Sequence, residues 1–355
     1  MRVIISAGGT GGHIYPALSI VNKIKEKDKN AEILYIGTTD RMEKDIVPKY
    51  NIKYHAIKIR GIDRKLSLKN IKTVVYFIKA VKEVKKIMKV FKPDIVIGVG
   101  GYVTAPVIYA ANKLKIKTLI HEQNSMLGMT NKFLSSKADI VCISFPDTIV
   151  KAKRVVYTGN PSSEDDNATF DKKEYGLSND KKLILIVMGS LGSKVINDKM
   201  KEILPKFNNK GYEVLFITGN DYFEEFNNLK LSNNIKIVSF VNNLKRVFKK
   251  TDILVTRAGA TTMSEIISFK VPSILIPSPY VTDNHQYKNA MSLVGKDAAL
   301  LIEEKDLDGD TLINSIDSLI NDKDKINSIK NNLSMMNIGN SASKIYDLIS
   351  EIVGE

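Results

Sequence analysis

Short apolar, β-branched segments alternate with amphipathic helical patterns along almost the whole chain. Before residue 160 they include "RVIIS", "EILYIG", "DIVIGVG" and "KTLIHE", and beyond residue 182 they include "LILIVMGS", "EVLFITG", "DILVTR" and "SILIPSP". Strands that alternate with helices form parallel sheets whose faces are covered by those helices. The alternation therefore predicts an α/β protein.

A polar connector, "NPSSEDDNATFDKKEYGLSNDKK", divides this alternation into two series. Because a chain of 355 residues exceeds the usual size of a single core, we expect two Rossmann-like domains, at residues 1–160 and 161–340. Residues 341–355 are expected to form a C-terminal helix that packs back toward the first domain. In open α/β sheets ligands bind at the carboxyl ends of the strands, so the expected site is a central cleft that both sheets face.

The chain is strongly basic, with 53 lysines and arginines against 39 aspartates and glutamates. Its formal net charge of +14 suits phosphate-bearing ligands, nucleic acid or an anionic membrane surface. No nucleic-acid-binding motif is visible and tryptophan is absent, so a nucleic-acid partner is not expected. Cys142 is the only cysteine, which excludes an internal disulfide and fits a reducing cytoplasm. The uncharged stretch at residues 95–111 is too short to span a bilayer and is broken by glycines and Pro106.

The segment "SAGGTGGHIYPAL", residues 6–18, joins the first strand pattern to the first helix pattern. Glycine lets a backbone approach a ligand closely, and a helix start presents unpaired N–H groups to an anion. The dinucleotide fingerprint is excluded because Ile14 occupies its third glycine position, and no P-loop ending follows. A tight turn alone needs only one or two glycines, so four glycines and His13 favour a ligand-binding loop.

Two interpretations of Glu265 in "TRAGATTMSEI" are open from the local pattern. Thr262 to Glu265 fits the capping box, in which the glutamate only satisfies a backbone N–H at the helix end. Alternatively, Glu265 accepts both ribose hydroxyls of a nucleotide whose phosphates lie against the same helix start.

Metal chemistry has little support in the sequence. Three of the four histidines, His13, His121 and His285, lie in loops at strand ends, but their spacing does not resemble a zinc site. The acidic triplet "DGD" at residues 308–310 is interpreted as a solvated turn that caps the next helix. No nucleophile elbow occurs, which favours direct displacement by a positioned base.

Six motifs occur in order between residues 8 and 290: "GGTGGHIYPAL", "GVGGYVTAP", "HEQNSMLGMTN", "TGNP", "RAGATTMSE" and "DNHQYKNA". Together they resemble the signatures of the MurG family, the bacterial N-acetylglucosaminyltransferases of peptidoglycan synthesis. The resemblance implies a GT-B glycosyltransferase fold. It also implies transfer from UDP-N-acetylglucosamine to the C4 hydroxyl of the muramyl sugar of lipid I, which is the undecaprenyl-diphosphate-linked muramyl pentapeptide. The product would be lipid II, formed with inversion at the sugar carbon.

The resemblance also assigns roles in donor binding. Asn124 and Gln286 would hold hydroxyls of the donor sugar, the backbone of Val241 would bind the uracil edge, and Glu265 would bind the ribose. The diphosphate would contact Ser190 and the start of the helix that follows "TRAG". The residues of that helix start are Ala260, Thr261, Thr262, Met263 and Ser264.

On the acceptor side, the resemblance places Thr10, Gly11 and Gly12 near the donor sugar and the acceptor diphosphate, with His13 as the candidate base. One departure from the family pattern affects the donor phosphates. Ser163 stands two residues after "GNP", where an arginine is expected from the family pattern, so a donor-phosphate contact is either absent or supplied by another cation such as Lys194. "MGSLGS" also replaces the more usual "GGSxGA".

Much of the positive charge lies between Lys58 and Lys92, where twelve lysines and arginines face only Asp63 and Glu83. The segment has helical apolar spacing at Leu68, Ile71, Val75, Ile78, Val81, Val84, Met88 and Phe91. It could be a helix packed on the sheet with a solvated face, or a surface that contacts anionic lipids. The second interpretation predicts a peripheral protein on the cytoplasmic face of the cell membrane.

Two other functions are weighed against this one. The first is another GT-B enzyme that uses a UDP-sugar, with a different acceptor or with epimerase activity. The second is a basic nucleic-acid-binding protein, which the charge alone allows. We expect no required cofactor, and a divalent cation is not expected to be essential.

Overall fold

A computed structural model describes residues 1–61, 69–164, 169–189 and 192–354. The chain divides into two compact units. The first unit consists of Met1–Glu164 together with Ile338–Glu355, and the second is Asp165–Asn337. These divisions fall within a few residues of the boundaries expected from the sequence. Among the described residues, no helix combines the length and the apolar character that crossing a membrane requires.

The first unit contains a parallel sheet of seven described strands in the order β3-β2-β1-β4-β5-β6-β7. The strands are β1 Arg2–Ser6, β2 Glu32–Thr38, β3 Lys53–Ile57, β4 Ile95–Gly98, β5 Lys117–Glu122, β6 Ile140–Ile143 and β7 Val155–Tyr157. Its helices are α1 Gly11–Lys27, α2 Glu43–Ile46, α3 Lys69–Phe91, α4 Thr104–Lys113, α5 Met129–Leu134 and the last helix of the chain, α12 Ser341–Val353. The strand order reverses between β1 and β4, so the loops that follow these two strands lie side by side.

The second unit contains a parallel sheet of six described strands in the order β10-β9-β8-β11-β12-β13. The strands are β8 Leu183–Val187, β9 Glu213–Ile217, β10 Ile235–Val238, β11 Ile253–Thr256, β12 Ser273–Leu275 and β13 Leu300–Leu301. Its helices are α6 Lys194–Ile203, α7 Leu244–Phe248, α8 Ala260–Phe269, α9 His285–Val294, α10 Gly309–Ile320 and α11 Lys323–Met336. The order reverses between β8 and β11, so this unit repeats the Rossmann-like topology of the first.

Short 3₁₀ helices connect several of these elements. Their bounds are Val47–Tyr50, Ser135–Lys137, Pro161–Ser163, Lys172–Tyr175, Leu204–Phe207, Asn220–Phe226, Thr282–Asn284 and Glu304–Asp306.

The core of the first unit lies on both faces of its sheet, as the continuous apolar strand patterns predict. Val3 and Ile5 face a cluster that includes α1 and α12, whereas Ile4 faces the cluster that includes α3 and α4. The C-terminal helix α12 thus completes one face of the first unit. Buried Ile345, Leu348 and Ile349 hold it there, and at its exposed side the Arg154 guanidinium donates to the Glu351 carboxylate at 2.5 and 3.0 Å.

Candidate active site

Two glycine loops meet at the strand-order reversal of the first unit. The amide of Gly8, after β1, donates to the carbonyl of Gly100, after β4, at 3.2 Å. Gly100 and Gly101 have φ angles of +110° and +84°, which favour glycine. A Cβ at Gly100 would lie 2.6 Å from Cδ2 of the His13 ring, and one at Gly101 would overlap the carbonyl oxygen of Gly8. The "GGTGGH" and "GVGGY" motifs therefore form one packed structure.

The His13 imidazole has its orientation set by the loop that precedes it. His13 lies in the first turn of α1, and its Nδ1 is 3.0 Å from the carbonyl oxygen of Gly8 and 3.3 Å from Oγ1 of Thr10. A carbonyl oxygen can only accept, so Nδ1 carries the proton. The lone pair is then at Nε2, as a general base requires.

Glu43, which sequence reasoning missed, braces the same loop. Its carboxylate is completely buried and accepts from the Gly9 amide at 3.0 Å. It also accepts from the Thr38 amide at 3.1 Å and from the Thr38 hydroxyl at 2.7 Å. Little in the sequence marks Glu43 as buried, because it lies among charged residues in "DRMEKD", which are exposed in the structure. Its position just after β2, at the carboxyl edge of the sheet, is the one available clue.

The "HEQN" motif after β5 is a buried hydrogen-bond network. His121 is fully buried, with Nε2 at 2.9 Å from the carbonyl oxygen of Gly159 and Nδ1 at 2.9 Å from the Gln123 amide nitrogen. Burial lowers the pKa of His121 to about 4, so it is neutral at neutral pH. Because His121 is fully buried and both of its ring nitrogens are engaged in hydrogen bonds, it is structural and cannot reach an acceptor hydroxyl as a base.

Glu122, in the same motif, fixes Asn124 at the end of β5. One carboxylate oxygen accepts from the Asn124 backbone at 3.0 Å and from its side-chain amide at 3.1 Å. The other accepts from Gly128 at 2.9 Å and from Asn131 at 2.8 Å. Asn124 thus has a defined orientation at the edge where a sugar is predicted to bind, and its ligand role stays a prediction.

In the second unit, α8 begins directly behind β11 with Gly259 as its N-cap. The first helical hydrogen bond runs from the Met263 amide to the Gly259 carbonyl at 2.9 Å. The amides of residues 260–262 therefore have no acceptor within the helix and form a positive helix terminus suited to a phosphate. The capping-box interpretation of residues 262–265 is wrong, because the helix starts before Thr262 and Glu265 lies in its second turn.

Glu265 has an unusual carboxyl group. Although part of its side chain reaches the surface, burial raises the pKa of its carboxyl group to about 7, and the charge of Lys245 only partly opposes this rise. Within the described residues no hydrogen bond to this carboxylate is formed. It is therefore a partly exposed acceptor with a raised pKa and no hydrogen-bond donor among the described residues, which is consistent with a group that meets hydroxyl donors on a ligand.

The other predicted donor-site residues lie around the carboxyl edge of the second sheet. The side-chain oxygen of Gln286, in the first turn of α9, accepts from the Ser278 amide at 2.9 Å. Asn289 is buried and donates to the Ala258 carbonyl at 3.2 Å, which ties α9 to the loop before α8. Val241 is buried just after β10. Ser190 lies outside the described residues.

Three residues considered for contact with the donor phosphates differ in whether a ligand can reach them. Arg257, in the "TRAGAT" motif, is buried, donates to the Ile276 carbonyl at 3.1 Å and the Ser193 hydroxyl at 2.9 Å, and pairs with buried Glu304. It therefore braces the loops and does not serve as a ligand cation. Lys194, the first residue of α6, is exposed. Ser163 is buried in the first unit, where its hydroxyl donates to the Asn160 carbonyl at 2.7 Å.

The acidic triplet at residues 308–310 is a helix start. Asp308 is the N-cap of α10 and accepts from the Thr311 amide at 2.8 Å, while Asp310 pairs with Lys206 at 2.7 Å. This confirms the helix-capping interpretation of "DGD". Among the described residues, no group of three or more histidine, cysteine, aspartate and glutamate side chains is arranged to hold a metal ion.

The basic segment forms α3, but its predicted apolar stripe divides between two faces. Three members are buried against the sheet: Val81, Val84 and Met88. Three others are 62%, 45% and 49% exposed: Ile71, Val75 and Ile78. Steps of three residues, from Ile78 to Val81 and on to Val84, each turn the side chain by about 60° around the helix. Leu68 lies outside the described residues.

The exposed apolar residues of α3 lie on the same face of the helix as several of its lysines. Alternating steps of four and three residues keep side chains on one face of a helix. Such steps lead through Ile71, Val75, Ile78, Lys82, Lys85 and Lys89. One face of α3 thus begins apolar and ends basic.

Comparison with known proteins connects these features to a family. Residues 3–143 match the glycosyltransferase family 28 N-terminal domain, and residues 183–352 match the glycosyltransferase family 28 C-terminal domain. A protein of Bacillus cereus is 45% identical over 362 residues, which cover 99% of this chain and 100% of that protein. It is named UDP-N-acetylglucosamine--N-acetylmuramyl-(pentapeptide) pyrophosphoryl-undecaprenol N-acetylglucosamine transferase 1. A transferase of the same kind from Halalkalibacterium halodurans is 42% identical, with 99% of each chain covered.

Solved structures agree. The crystal structure of MurG from Acinetobacter baumannii matches with a TM-score of 0.79 and 27% identity over 99% of each chain. The calicheamicin glycosyltransferase CalG4 matches with a TM-score of 0.74 over 100% of this chain and 98% of that one, and at 11% identity this likeness concerns the fold alone. The predicted GT-B fold with two Rossmann-like domains is confirmed. The chain belongs to glycosyltransferase family 28, together with the MurG N-acetylglucosaminyltransferases.

Proposed function

We propose that this protein is an inverting glycosyltransferase that moves N-acetylglucosamine from UDP-N-acetylglucosamine to the C4 hydroxyl of the muramyl sugar of lipid I, forming lipid II. Full-length relatives named for this reaction support the substrates. The observation that carries the chemistry is the His13 ring, whose Nδ1–H is held by the Gly8 carbonyl beside two interlocked glycine loops.

In this proposal the second unit binds the donor. The diphosphate lies at the α8 terminus and Ser190, where backbone amides offset its charge, and Lys194 supplies the cation that the family pattern places at residue 163. The Glu265 carboxylate accepts hydrogen bonds from the two ribose hydroxyls, and the backbone of Val241 contacts the uracil edge. Gln286 and, from the first unit, Asn124 hold hydroxyls of the sugar.

The first unit supplies the base. Thr10, Gly11 and Gly12 line the approach of the acceptor diphosphate, and Nε2 of His13 takes the proton of the acceptor hydroxyl. The oxygen then attacks the anomeric carbon, the bond from that carbon to the UDP oxygen breaks, and UDP leaves with the bonding electron pair. Positioned bases contribute about 10²–10⁴-fold to such rates.

Transfer of radiolabelled sugar from UDP-N-acetylglucosamine to a lipid I analogue tests this function. His13→Gln should lower kcat by about 10²-fold or more, with an unchanged thermal melt. His55→Gln is the matched control, since His55 is an exposed histidine that pairs with Glu83 at 2.9 Å. Wild-type turnover of donor without transfer to the acceptor would instead favour the alternative enzyme class.

We infer that no metal ion is required for this reaction. The proposed charge balance uses the α8 amides and Lys194, and the acidic triplet is already occupied as a helix cap. Turnover in chelator should therefore stay within about twofold of the untreated enzyme. Complete loss, restored by Mg²⁺ or Mn²⁺ alone, would overturn this inference.

We further propose that the protein docks peripherally on the cytoplasmic face of the cell membrane through α3. The apolar end of its exposed face would enter the lipid interface, and the lysine end would meet anionic headgroups at about 1 kcal/mol per lysine. Such attachment suits an acceptor with a polyprenyl tail.

Charge reversal tests the docking. K82E/K85E/K89E should release the protein from anionic vesicles and slow turnover of long-chain lipid I in them. Activity on a short, water-soluble acceptor should persist, because α3 has no role in the chemistry. K29E/K44E/K49E is the matched control, since these three lysines are exposed and lie outside α3. If the α3 variant bound vesicles as tightly as wild type, docking through α3 would be excluded, and α3 would be a helix packed on the sheet with a solvated face.

A further inference from the structure

The peptide group between Gly8 and Gly9 is held from both sides. Its carbonyl oxygen lies 3.0 Å from Nδ1 of His13, and its N–H donates to the Glu43 carboxylate at 3.0 Å. In a trans peptide the C=O and N–H groups point in opposite directions within one rigid plane. Glu43 and the His13 ring therefore lie on opposite sides of a single peptide, which connects the carboxylate to the imidazole.

The backbone on the amino side of this peptide is also fixed. The preceding peptide, between Ala7 and Gly8, accepts from the Tyr35 hydroxyl at 3.0 Å and donates to the Gly100 carbonyl at 3.2 Å. A Cβ at Gly8 would overlap Oε1 of the Glu43 carboxylate, so the carboxylate packs directly against the loop. The peptide that holds the imidazole therefore cannot rotate without breaking several of these contacts.

The Glu43 carboxylate has the environment of a charged acceptor. Besides the Gly9 amide, the amide and the hydroxyl of Thr38 donate to it at 3.1 and 2.7 Å, and the side chain is completely buried. Hydrogen bonds to a charged group are about twice as strong as those between neutral groups, and hydrogen bonds in a chain polarise one another. The Gly8 carbonyl is therefore a stronger acceptor for Nδ1–H than a peptide carbonyl without such a partner.

We infer that Glu43 is a positioning residue for the general base and acts on His13 through the Gly8–Gly9 peptide. Its charge strengthens the hydrogen bond at Nδ1–H, which keeps the proton on that nitrogen and raises the basicity of Nε2. This role rests on the proposed function of His13 as the base. It goes beyond bracing of the loop, because it assigns to Glu43 an effect on the protonation of His13.

The ionisable neighbours of Glu43 include two tyrosines and several exposed charges. Burial raises the pKa of Tyr35 and of Tyr54, so both side chains are neutral at neutral pH. On its other side the His13 ring lies against the uncharged backbone at Gly100. Water and salt screen exposed charges far more than a buried one. The exposed charges belong to Asp40, Arg41 and Asp45.

Glu43→Gln tests the charge, because it removes it while keeping the size of the side chain. The protonated imidazole then loses a favourable interaction, so the midpoint of the His13 titration should move to lower pH. The expected shift is on the order of one pH unit for a buried charge two hydrogen bonds away. Nuclear magnetic resonance of protein labelled with ¹⁵N-histidine measures this midpoint and the tautomer. The His13 signal is identified by its absence in His13→Gln.

The pH profile of kcat/KM separates this role from a loss of structure. A weaker base removes the proton more slowly but stays unprotonated to lower pH. Glu43→Gln should therefore lower the plateau of kcat/KM about three- to tenfold, yet match or exceed wild type on the acidic limb, where wild-type His13 is protonated. Affinity for UDP should not change. A site that is merely distorted would be slower by the same factor at every pH.

Tyr35→Phe is the matched control, because it removes a hydrogen bond from the neighbouring peptide without changing the charge. It strands the Ala7 carbonyl and should lower the thermal melt, but the His13 midpoint and the shape of the pH profile should stay those of wild type. An equal shift of the midpoint in Tyr35→Phe and Glu43→Gln would reflect a loosened loop and would overturn the role of the Glu43 charge.

The two measurements also separate this role from that of His13. An unchanged His13 midpoint in Glu43→Gln would overturn the link to Glu43 and leave the base standing. A shifted midpoint with a wild-type pH profile would support the link and exclude His13 as the base. Should Glu43→Gln not fold, Thr38→Val removes one competing donor and keeps the charge. The His13 midpoint should then rise, and a constant or lower midpoint would overturn the link.

Discussion

Glu43 in the first unit and Glu265 in the second lie near the carboxyl edges of two sheets with the same topology, yet their environments differ. Glu43 is fully buried and accepts three hydrogen bonds from Gly9 and Thr38. Glu265 is partly exposed and accepts none from the described residues, and burial raises its pKa to about 7. The comparison teaches that carboxylates at similar places in the fold differ with the donors around them: Glu43 is a structural acid, and Glu265 has the environment that we expect of a ligand acceptor.

The largest effect should come from removing the ligand acceptor. Glu265→Ala should weaken UDP binding on the order of a thousandfold, because two ribose hydroxyls lose a charged partner at about 1.5–3 kcal/mol each. Calorimetry of UDP binding measures the loss. A parallel melt should show an intact fold, and unchanged affinity for UDP would exclude the ribose role.

Glu43→Ala should act on stability instead. It strands the amides of Gly9 and Thr38 in the core, and each stranded donor costs about 1–3 kcal/mol, so the free energy of unfolding should fall by about 3 kcal/mol or more. Urea denaturation measures this, with Glu43→Gln as a milder variant that keeps one acceptor. UDP affinity of the folded fraction should not change. If Glu43→Ala matched wild type in the urea midpoint, the bracing role would be wrong.

The fold was predicted well from the sequence because the two signals used, the periodicity of strands and helices and the family motifs, are each contained in short segments of the chain. Apolar strands and helical periodicity fixed the two sheets, and six ordered motifs identified the family. Glu43 was missed because its role depends on Gly9, a hydrogen-bond donor that is distant in sequence. The division of the α3 stripe was missed for another reason: Ile78 and Val81 fit the same loose helical spacing, and only the packed sheet shows which one is buried.

The helix start at Gly259 shows the same limit on a finer scale. Thr262 and Glu265 satisfy the capping-box pattern in sequence, but the turn after β11 closes earlier, at a residue with no side chain to cap. A pattern of four residues contains no information on where the preceding strand ends, and the end of that strand determines where the helix begins. This difference removes the capping explanation for the Glu265 carboxylate and leaves the ribose role as the prediction to test.

The smallest effect is expected for the stability of Glu265→Gln at different pH values. This measurement distinguishes directly between a capping glutamate and a ligand acceptor. The pKa of Glu265 is raised to about 7 in the folded protein from the ordinary value of 4.5, which applies to the unfolded chain, so between these pH values the folded state binds an extra proton. Stability of the unliganded wild type should therefore fall as pH rises from about 4.5 to 7. Glu265→Gln cannot ionise and should equal wild type in stability near pH 4, then exceed it by up to about 3 kcal/mol near pH 8, because about 2.5 pKa units correspond to about 3 kcal/mol and the partial exposure of Glu265 screens part of this difference. Thermal melts without UDP at both pH values test this sign. A capping glutamate would give the reverse, a variant less stable than wild type by about 1 kcal/mol at pH 8. A gain in stability with a loss of UDP affinity would mark Glu265 as a residue kept for its ligand at a cost to the fold.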